Sequence, residues 1–458
     1  MLELEKNEYA QLMKDADLFF KKLFPICRSI TGNGVRKTLS ILQEIVGFDI
    51  KEIPSGTECY DWIIPDEWNI KDAYIKDPSG NRVVDFQRNN LHVVNYSSPL
   101  DKILSFKELQ KHLYTLPDMP EAIPYRTSYY NKDWGFCLSQ KQLDSMNKEI
   151  KYHVKIESTL KPGNLTYGES YIKGTSGKEY LISSYCCHPS LANDNLSGIT
   201  LWAFLLKKLS KIKTFHSYRF ILVPETIGAI AYLKSNEPLM KTVNGGFVIT
   251  SVAGPGEFGY KSSFIKNHLI DRVVRKTFQE LDEYYIEYPF HVTGSDETSY
   301  SSPFFRIPVG TICKDKYFEY PYYHTSLDNL EFISAKNLIK TLRIYLHAIE
   351  MLERNITFAS MMPYCEAMLG KRGLYPKVGG HYKQNKPCED AGINGHGYEI
   401  KPGVLIPEKE IDAMLWLMFY IDGKTSLFDI SQKIDIPMKQ LYEISQKLVQ
   451  AGLIKPIT

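Results

Sequence analysis

The chain has 458 residues, 43% of them hydrophobic and 24% charged, with a formal net charge of +2 at pH 7. That is a globular composition, with length for two or three domains. The near-neutral balance gives no electrostatic case for nucleic acid or an anionic membrane, and no apolar run nears the ~20 residues a membrane-spanning helix needs.

The opening residues, Met1-Leu2-Glu3-Leu4-Glu5-Lys6, are charged and unlike a secretion signal. Eight cysteines without regular spacing indicate reduced thiols, so a cytoplasmic protein is expected. Leu12 to Phe24 spaces its apolar residues as an amphipathic helix, and Val35 to Val46 reads as a second. The loop between them holds Arg28, Ser29 and Thr31. Arg28 is a candidate for a substrate carboxylate or phosphate, which its guanidinium suits in a bidentate pair. The plainer alternative is a connector with Ser or Thr capping.

Phe48 to Pro54 is a predicted strand. From Tyr60 to Asn147 short alternating segments (Ala73–Ile75, Val83–Phe86, Leu91–Tyr96) replace strand–helix units, with Asp77-Pro78-Ser79-Gly80-Asn81 as a turn. Such texture predicts a separate β-rich domain, 60–150, inserted into an α/β core. Inserted domains beside a cleft often act as lids. His92, Tyr125, Tyr129, Tyr130 and Trp134 are candidates to face that cleft, although core packing explains each singly.

The core is expected to resume at Lys151. Tyr180 to Tyr185 reads as a buried strand, followed by Cys186-Cys187-His188-Pro189-Ser190-Leu191-Ala192-Asn193-Asp194-Asn195 and an apolar helix from Ile199 to Leu209. His188 and Asp194 therefore fall in a loop at a strand's carboxyl end, where sites collect in open α/β sheets. Both residue types ligate Zn²⁺; the competing reading is a turn and a helix N-cap. Cys186-Cys187 is a soft-metal candidate or buried packing, the commoner fate of free Cys. The design repeats downstream. Phe220–Val223 leads to Pro224-Glu225-Thr226, Gly246–Ile249 to Thr250-Ser251, and Ile307–Ile312 to the loop Tyr322-Tyr323-His324-Thr325-Ser326-Leu327-Asp328. Between them lie a predicted helix, Phe264 to Leu281, and Ser295-Asp296-Glu297; Ala335 to Leu352 is a further helix. The tail has a Gly- and Pro-rich linker, 371–403, then helices Glu408–Tyr420, Thr425–Ile430 onward and Met438–Gln450 and a turn at Gly452. The tail resembles a winged helix. Over 404–458 its lysines are offset by acidic residues, which argues against DNA binding and for protein contact or self-association.

The order His188…Asp194-Asn195-x-Ser197-Gly198, then Glu225-x-x-Gly228, then Ser295-Asp296, then His324-Thr325-x-x-Asp328, resembles the co-catalytic zinc aminopeptidases. More closely, and over nearly the whole chain, it resembles an aminopeptidase-like bacterial family of unassigned function. The resemblance implies an α/β fold: a mostly parallel sheet sandwiched by helices, built from 1–59 and 151–370, with the inserted β-rich lid and a C-terminal winged helix. It aligns Glu225 with the general base. It also exposes departures, because Thr226 stands where a second Glu is a metal ligand, and Thr250 and Ser251 replace an acidic ligand. One zinc held by His188, Asp194 and His324, with an open fourth position, is the set implied; Glu297 and Glu319 are the first additional candidates should a second ion bind.

From this follow three expectations. Asp296 or Asp328 orients a ligand histidine or acts as a cap, Tyr322 or Tyr323 donates to the oxyanion, and the substrate is a peptide or small amide. An amidohydrolase or acyl-transfer enzyme acting on a sugar, and a non-catalytic metal-containing binding module, are the alternatives.

Overall fold

The computed structural model describes residues 2, 4–374, 399–401, 404–406 and 410–457. They divide into two compact units, one of residues 2–174 and 178–346, the other of residues 175–177 and those from 347 on.

In the first unit, α1 (Lys6–Leu23) buries Leu12, Ala16, Phe19, Phe20 and Leu23 along one face, and α2 (Asn33–Leu42) follows the Arg28 loop. Next come β1 (Asp49–Pro54), β2 (Glu67–Lys76), β3 (Arg82–Asp85), β4 (Leu100–Ser105) and β5 (Lys151–Lys161). The last four form one antiparallel sheet in the order β3-β2-β5-β4. This corrects the expectation that the core resumes at Lys151: β5 is an inner strand of the insert's sheet. Its sequence explains why. Tyr152, Val154, Ile156 and Ser158 are buried and alternate with more exposed residues, as a sheet with one covered face requires. Leu91–Tyr96 is likewise not a strand; Asn90–His92 is a turn of 3-10 helix.

The large sheet takes up β1 and adds β6 (Asn164–Ile172), β7 (Glu179–Tyr185), β8 (Ser217–Val223), β9 (Gly245–Ile249), β10 (Phe258–Lys261), β11 (Tyr285–Tyr288) and β12 (Val309–Lys314). Its order is β1-β6-β8-β7-β9-β12-β10-β11. Strands β8, β7, β9 and β12 run parallel; β1, β6 and β10 pair antiparallel on the flanks. Strands β7, β8 and β9 are buried along nearly their whole length, which the continuous apolar runs anticipate. Helices α3 (Gly198–Leu209), α4 (Ile227–Ser235), α5 (Leu269–Glu280) and α6 (Ala335–Glu353) alternate with the strands. α5 starts later than Phe264 because His268 caps it, accepting from Ile270 N–H while Asp271 reaches back. Because the inner strands are parallel, their outgoing loops emerge at one edge of the sheet and meet there.

The second unit contains β13 (Thr357–Ser360), the hairpin β14 (Glu399–Lys401) with β15 (Val404–Ile406), helices α7 (Glu410–Tyr420), α8 (Leu427–Ile434) and α9 (Met438–Gln450), and β16 (Ile454–Ile457). The segment after Gly452 is a strand, and β16 pairs antiparallel with β13. Residues 357–360 therefore belong with the tail and not with a core extending to 370, because a single strand needs a partner for its backbone groups. Most of the expected linker, 375–398, lies outside the described residues.

Candidate metal centre

His188 lies just past β7, and Asp194 follows in the turn that leads into α3. Three sets of contacts hold this stretch. The Tyr185 hydroxyl donates to Asp194 Oδ1 at 2.5 Å and lies 2.7 Å from Thr250 Oγ1. Asp328 accepts the backbone N–H of Asn193 at Oδ1 (2.6 Å) and of Asp194 at Oδ2 (3.0 Å), and the Tyr320 hydroxyl also donates to Oδ2 (2.9 Å). Arg28 donates from Nε to the His188 carbonyl (2.6 Å) and from Nη1 to the Leu23 carbonyl (2.8 Å). Arg28 is 1% exposed, so it braces the His188 backbone instead of facing the opening as a substrate contact. Asp328 orients the Asp194 loop and not a histidine. Burial raises its carboxyl to about 7, against the pull of the two N–H groups.

His324, on the loop after β12, completes the cluster. His324 Nε2 is 3.0 Å from Asp194 Oδ2, and His188 Nε2 is 3.8 Å from it. Ligand atoms of all three residues lie within 4.8 Å of one another. Asp194 Oδ2 and His324 Nε2 are buried and make no hydrogen bond, although buried polar atoms almost always do. Burial pushes His188 down to about 4, with His324 adding to it and Asp194 opposing. Burial would raise Asp194, but His188, His324 and the Tyr185 hydroxyl outweigh it and hold the carboxyl at about 2. A neutral imidazole beside a carboxylate is the protonation state a divalent ion requires.

Glu225 Oε2 lies 3.8 Å from His188 Nε2. Burial and the Asp296 and Asp194 carboxyls drive the Glu225 carboxyl well above the usual range. Its backbone N–H donates to Cys187 Sγ at 3.3 Å, and that sulfur is 3.5 Å from His188 Nδ1. Cys187, His188 and Glu225 also meet the spacing of a metal group. Burial and Glu225, however, push the Cys187 thiol well above its usual pKa, so it remains a thiol, a poor ligand.

The other predicted residues fall in three places. Among the described residues Asp296 makes no hydrogen bond to a histidine; its Oδ1 accepts the N–H of Thr226 at 2.7 Å, at the start of α4. Thr226, where the resemblance leads one to look for a ligand, is exposed. Tyr323 stacks on His324 at 3.9 Å with planes 14° apart, whereas Tyr322 packs edge-on against Phe332. Glu297 is buried against Lys261, with the Tyr317 hydroxyl donating to it at 2.5 Å. Glu319 pairs with Lys316 at the surface. Neither glutamate joins the metal group.

Sequence reasoning missed two residues here. Tyr185 and Thr250 brace Asp194, and nothing in a strand-end Tyr or Thr distinguishes that role. Tyr125, from the insert, lies with its ring 5.2 Å from that of His188 and 5.0 Å from that of His324. Of the other insert residues expected at the cleft, His92 bonds the Cys137 carbonyl and Trp134 stacks on His112.

Comparison with known proteins places the chain in a family. A family described as a domain of unknown function, DUF4910, matches residues 18–355. The chain belongs to the DUF4910 family. A winged helix-turn-helix family matches residues 406–456. A Clostridium acetobutylicum protein named for polysaccharide biosynthesis and an aminopeptidase-like domain is 41% identical over 435 residues, 95% of this chain and 94% of the relative. A crystal structure described as a peptidase from the same species superposes with a TM-score of 0.87 at 38% identity, covering 98% of each chain. A zinc aminopeptidase from Bacillus subtilis shares the fold alone, with a TM-score of 0.56 at 13% identity over 77% of this chain and 96% of that one. This DUF4910 chain is thus a mixed α/β protein with aminopeptidase-like fold neighbours and a C-terminal winged helix.

Proposed function

We propose that this DUF4910 protein is a zinc-dependent hydrolase that cleaves an amide, with His188, Asp194 and His324 as the metal ligands and Glu225 as the general base. The observation that carries the reading is the convergence of one carboxylate and two imidazoles, two of whose buried ligand atoms lie 3.0 Å apart and make no hydrogen bond among the described residues. One carboxylate with two histidines suits zinc with an open position. A zinc ion held there would supply Lewis acidity, activating water and polarising a carbonyl.

The chain's own residues do the rest. Glu225 Oε2, beside His188, takes the proton of the attacking water and returns it to the leaving amine; a carboxyl whose pKa is raised is suited to both halves of that transfer. The Tyr323 phenol, held flat against His324, donates to the developing oxyanion. Tyr185, Asp328 and Arg28 keep the ligand backbone in place. The substrate is a peptide or small amide. A second reading, an acyl amide on a sugar, is favoured by two things: the relative's polysaccharide name, and Thr226, Thr250 and Ser251 in place of carboxylates that would help bind a free amine. The near-balance of lysines and acids over 404–458 supports a protein-contact role for the winged helix.

The test joins metal analysis of protein purified without chelator to amine release from a panel of peptide and acyl-sugar amides. One zinc per chain is expected, lost in His188→Ala. Glu225→Gln keeps the zinc and loses turnover by about 10²–10⁴-fold. A protein that holds no zinc and gains nothing when zinc is added refutes the reading; a fully active Glu225→Gln refutes the base.

A further inference from the structure

The inserted domain reaches the metal centre through residues 123–129. Pro124 forms an antiparallel bridge with Thr325. Around it, Tyr125 N–H donates to the His324 carbonyl (2.8 Å), Ser326 N–H donates to the Ile123 carbonyl (2.9 Å), and Ile123 N–H donates to Ser326 Oγ (2.9 Å). This stretch is therefore a strand partner of the loop that carries His324. The pairing also holds His324 at φ +55°, a backbone state that a non-glycine residue keeps only when its surroundings impose it. The insert is fastened here to the loop that carries His324.

Two phenols stand on this stretch. Tyr125 presents its ring to both histidines, and its hydroxyl lies 2.9 Å from the hydroxyl of Tyr129. Two hydroxyls sharing one hydrogen bond use one of their two protons. Among the described residues neither phenol has another hydrogen-bond partner, so the pair retains one O–H to donate. Either hydroxyl can donate in this bond; with Tyr125 buried and Tyr129 half-buried, the arrangement that leaves the available O–H on the more open Tyr129 has Tyr125 donating. Burial raises both phenols well above their ordinary pKa, with Glu225 and Cys187 adding to it. An ordinary phenol pKa of about 10 already keeps both protonated donors at neutral pH.

We propose that Tyr129 is a catalytic residue of the amide hydrolysis described above: its phenol, oriented by Tyr125, donates a hydrogen bond to the substrate oxygen on which negative charge develops. The proton stays on Tyr129; no covalent bond of the tyrosine forms or breaks. Tyr125 is a positioning residue, aiming the Tyr129 hydroxyl while packing against His188 and His324. The insert is then part of the catalytic apparatus, and removing its tyrosines impairs chemistry without disturbing the ligand set. The proposal rests on the hydrolase reading.

The test uses zinc-loaded full-length protein and acetohydroxamic acid, whose oxygens stand in for the developing oxyanion at a zinc centre, with affinity measured by calorimetry. Tyr129→Phe is expected to bind this probe about tenfold more weakly than wild type, the loss of one hydrogen bond to a charged oxygen. Zinc stoichiometry and melting temperature stay unchanged. Tyr125→Phe loses affinity by a smaller factor. Tyr130→Phe, the same change one residue along on a ring that is 46% exposed, binds as wild type. With whichever amide of the panel is cleaved, Tyr129→Phe lowers kcat by about 10²-fold while KM moves little, as removal of one oxyanion donor does. Wild-type affinity for acetohydroxamate in Tyr129→Phe overturns the proposal and leaves the hydrolase reading standing. A wild-type protein that binds zinc but not the probe overturns the hydrolase reading, and this proposal with it. If Tyr129→Phe loses zinc or melts early, Tyr125→Phe decides, and a wild-type Kd there refutes the phenol pair.

Discussion

Replacing Asp328 by asparagine probes how the Asp194 loop is held. The carboxylate accepts three donors: Asn193 N–H at Oδ1, and Asp194 N–H and the Tyr320 hydroxyl at Oδ2. Asparagine offers one acceptor and one donor in the same outline. With its oxygen at the Oδ2 position it keeps two of the three bonds and turns an NH₂ toward Asn193 N–H. The opposite orientation keeps only one, so the first wins. One buried donor left without an acceptor costs about 1–3 kcal/mol, and that is the expected destabilisation at pH 8. Asp328→Ala abandons all three donors, about 3–9 kcal/mol on the same scale, comparable with the whole stability of a typical domain. Tyr320→Phe removes a donor together with its bond and leaves both backbone bonds, so its effect stays near 1 kcal/mol. Because the clamp fixes the backbone of Asp194, a proposed ligand, zinc affinity in Asp328→Asn is expected to fall about 10–100-fold. Urea unfolding of the zinc-free protein and competition with a chromophoric chelator measure the two effects. The pH dependence has a sign. Burial raises the Asp328 carboxyl to about 7 from 3.8, so the folded protein keeps a proton that the unfolded chain has released. Its contribution to stability is complete below about pH 4 and disappears as pH rises through about 7. The wild type's stability advantage over Asp328→Asn should therefore be larger at pH 5 than at pH 8. Wild-type zinc affinity together with stability within 0.5 kcal/mol (about the scatter of neutral substitutions) would refute the clamp.

Three further outcomes are expected. Lys261→Met leaves Glu297 uncompensated in a site where both side chains are nearly fully buried; urea unfolding should show a loss of about 3–5 kcal/mol, partly recovered in Lys261→Met with Glu297→Gln. Arg28→Met removes the donor of the His188 carbonyl, whereas the Leu23 carbonyl keeps the Ile26 N–H, and chelator competition should record weaker zinc binding alongside a stability loss of about 1–3 kcal/mol for the one carbonyl left unpaired. A fluorescent DNA duplex titrated with the full-length protein at about 50 mM salt should show no saturable anisotropy change; tight binding that weakens steeply with salt would show that the winged helix reads nucleic acid.

Much of this molecule was written locally in its sequence. The runs Tyr180–Tyr185, Phe220–Val223 and Gly246–Ile249 are mostly apolar, Ser183 and Ser184 excepted, because both faces of an inner parallel strand are covered, and each is followed within a few residues by polar side chains. His188 and Glu225 come just after a strand end, and Asp194 and His324 fall in the loop that follows one, so all four could be placed at the outgoing ends of strands without any knowledge of tertiary contacts. Helices α1, α6 and α9 were legible for a similar reason, since one covered face sets the spacing of apolar residues. What periodicity encodes is that a face is covered, not what covers it. The alternation in β5 was visible, yet only pairing with β2 and β4 assigned it to the insert; β16 likewise needed β13. The contacts that complete the centre span long stretches of chain: Asp328 on the Asp194 backbone, Asp296 on Thr226, Arg28 on the His188 carbonyl, Tyr125 between two histidines. Each uses a common residue type in a role that becomes visible only when distant segments meet, because a hydrogen bond depends on where two atoms lie in space and carries no signature in the order of residues along the chain.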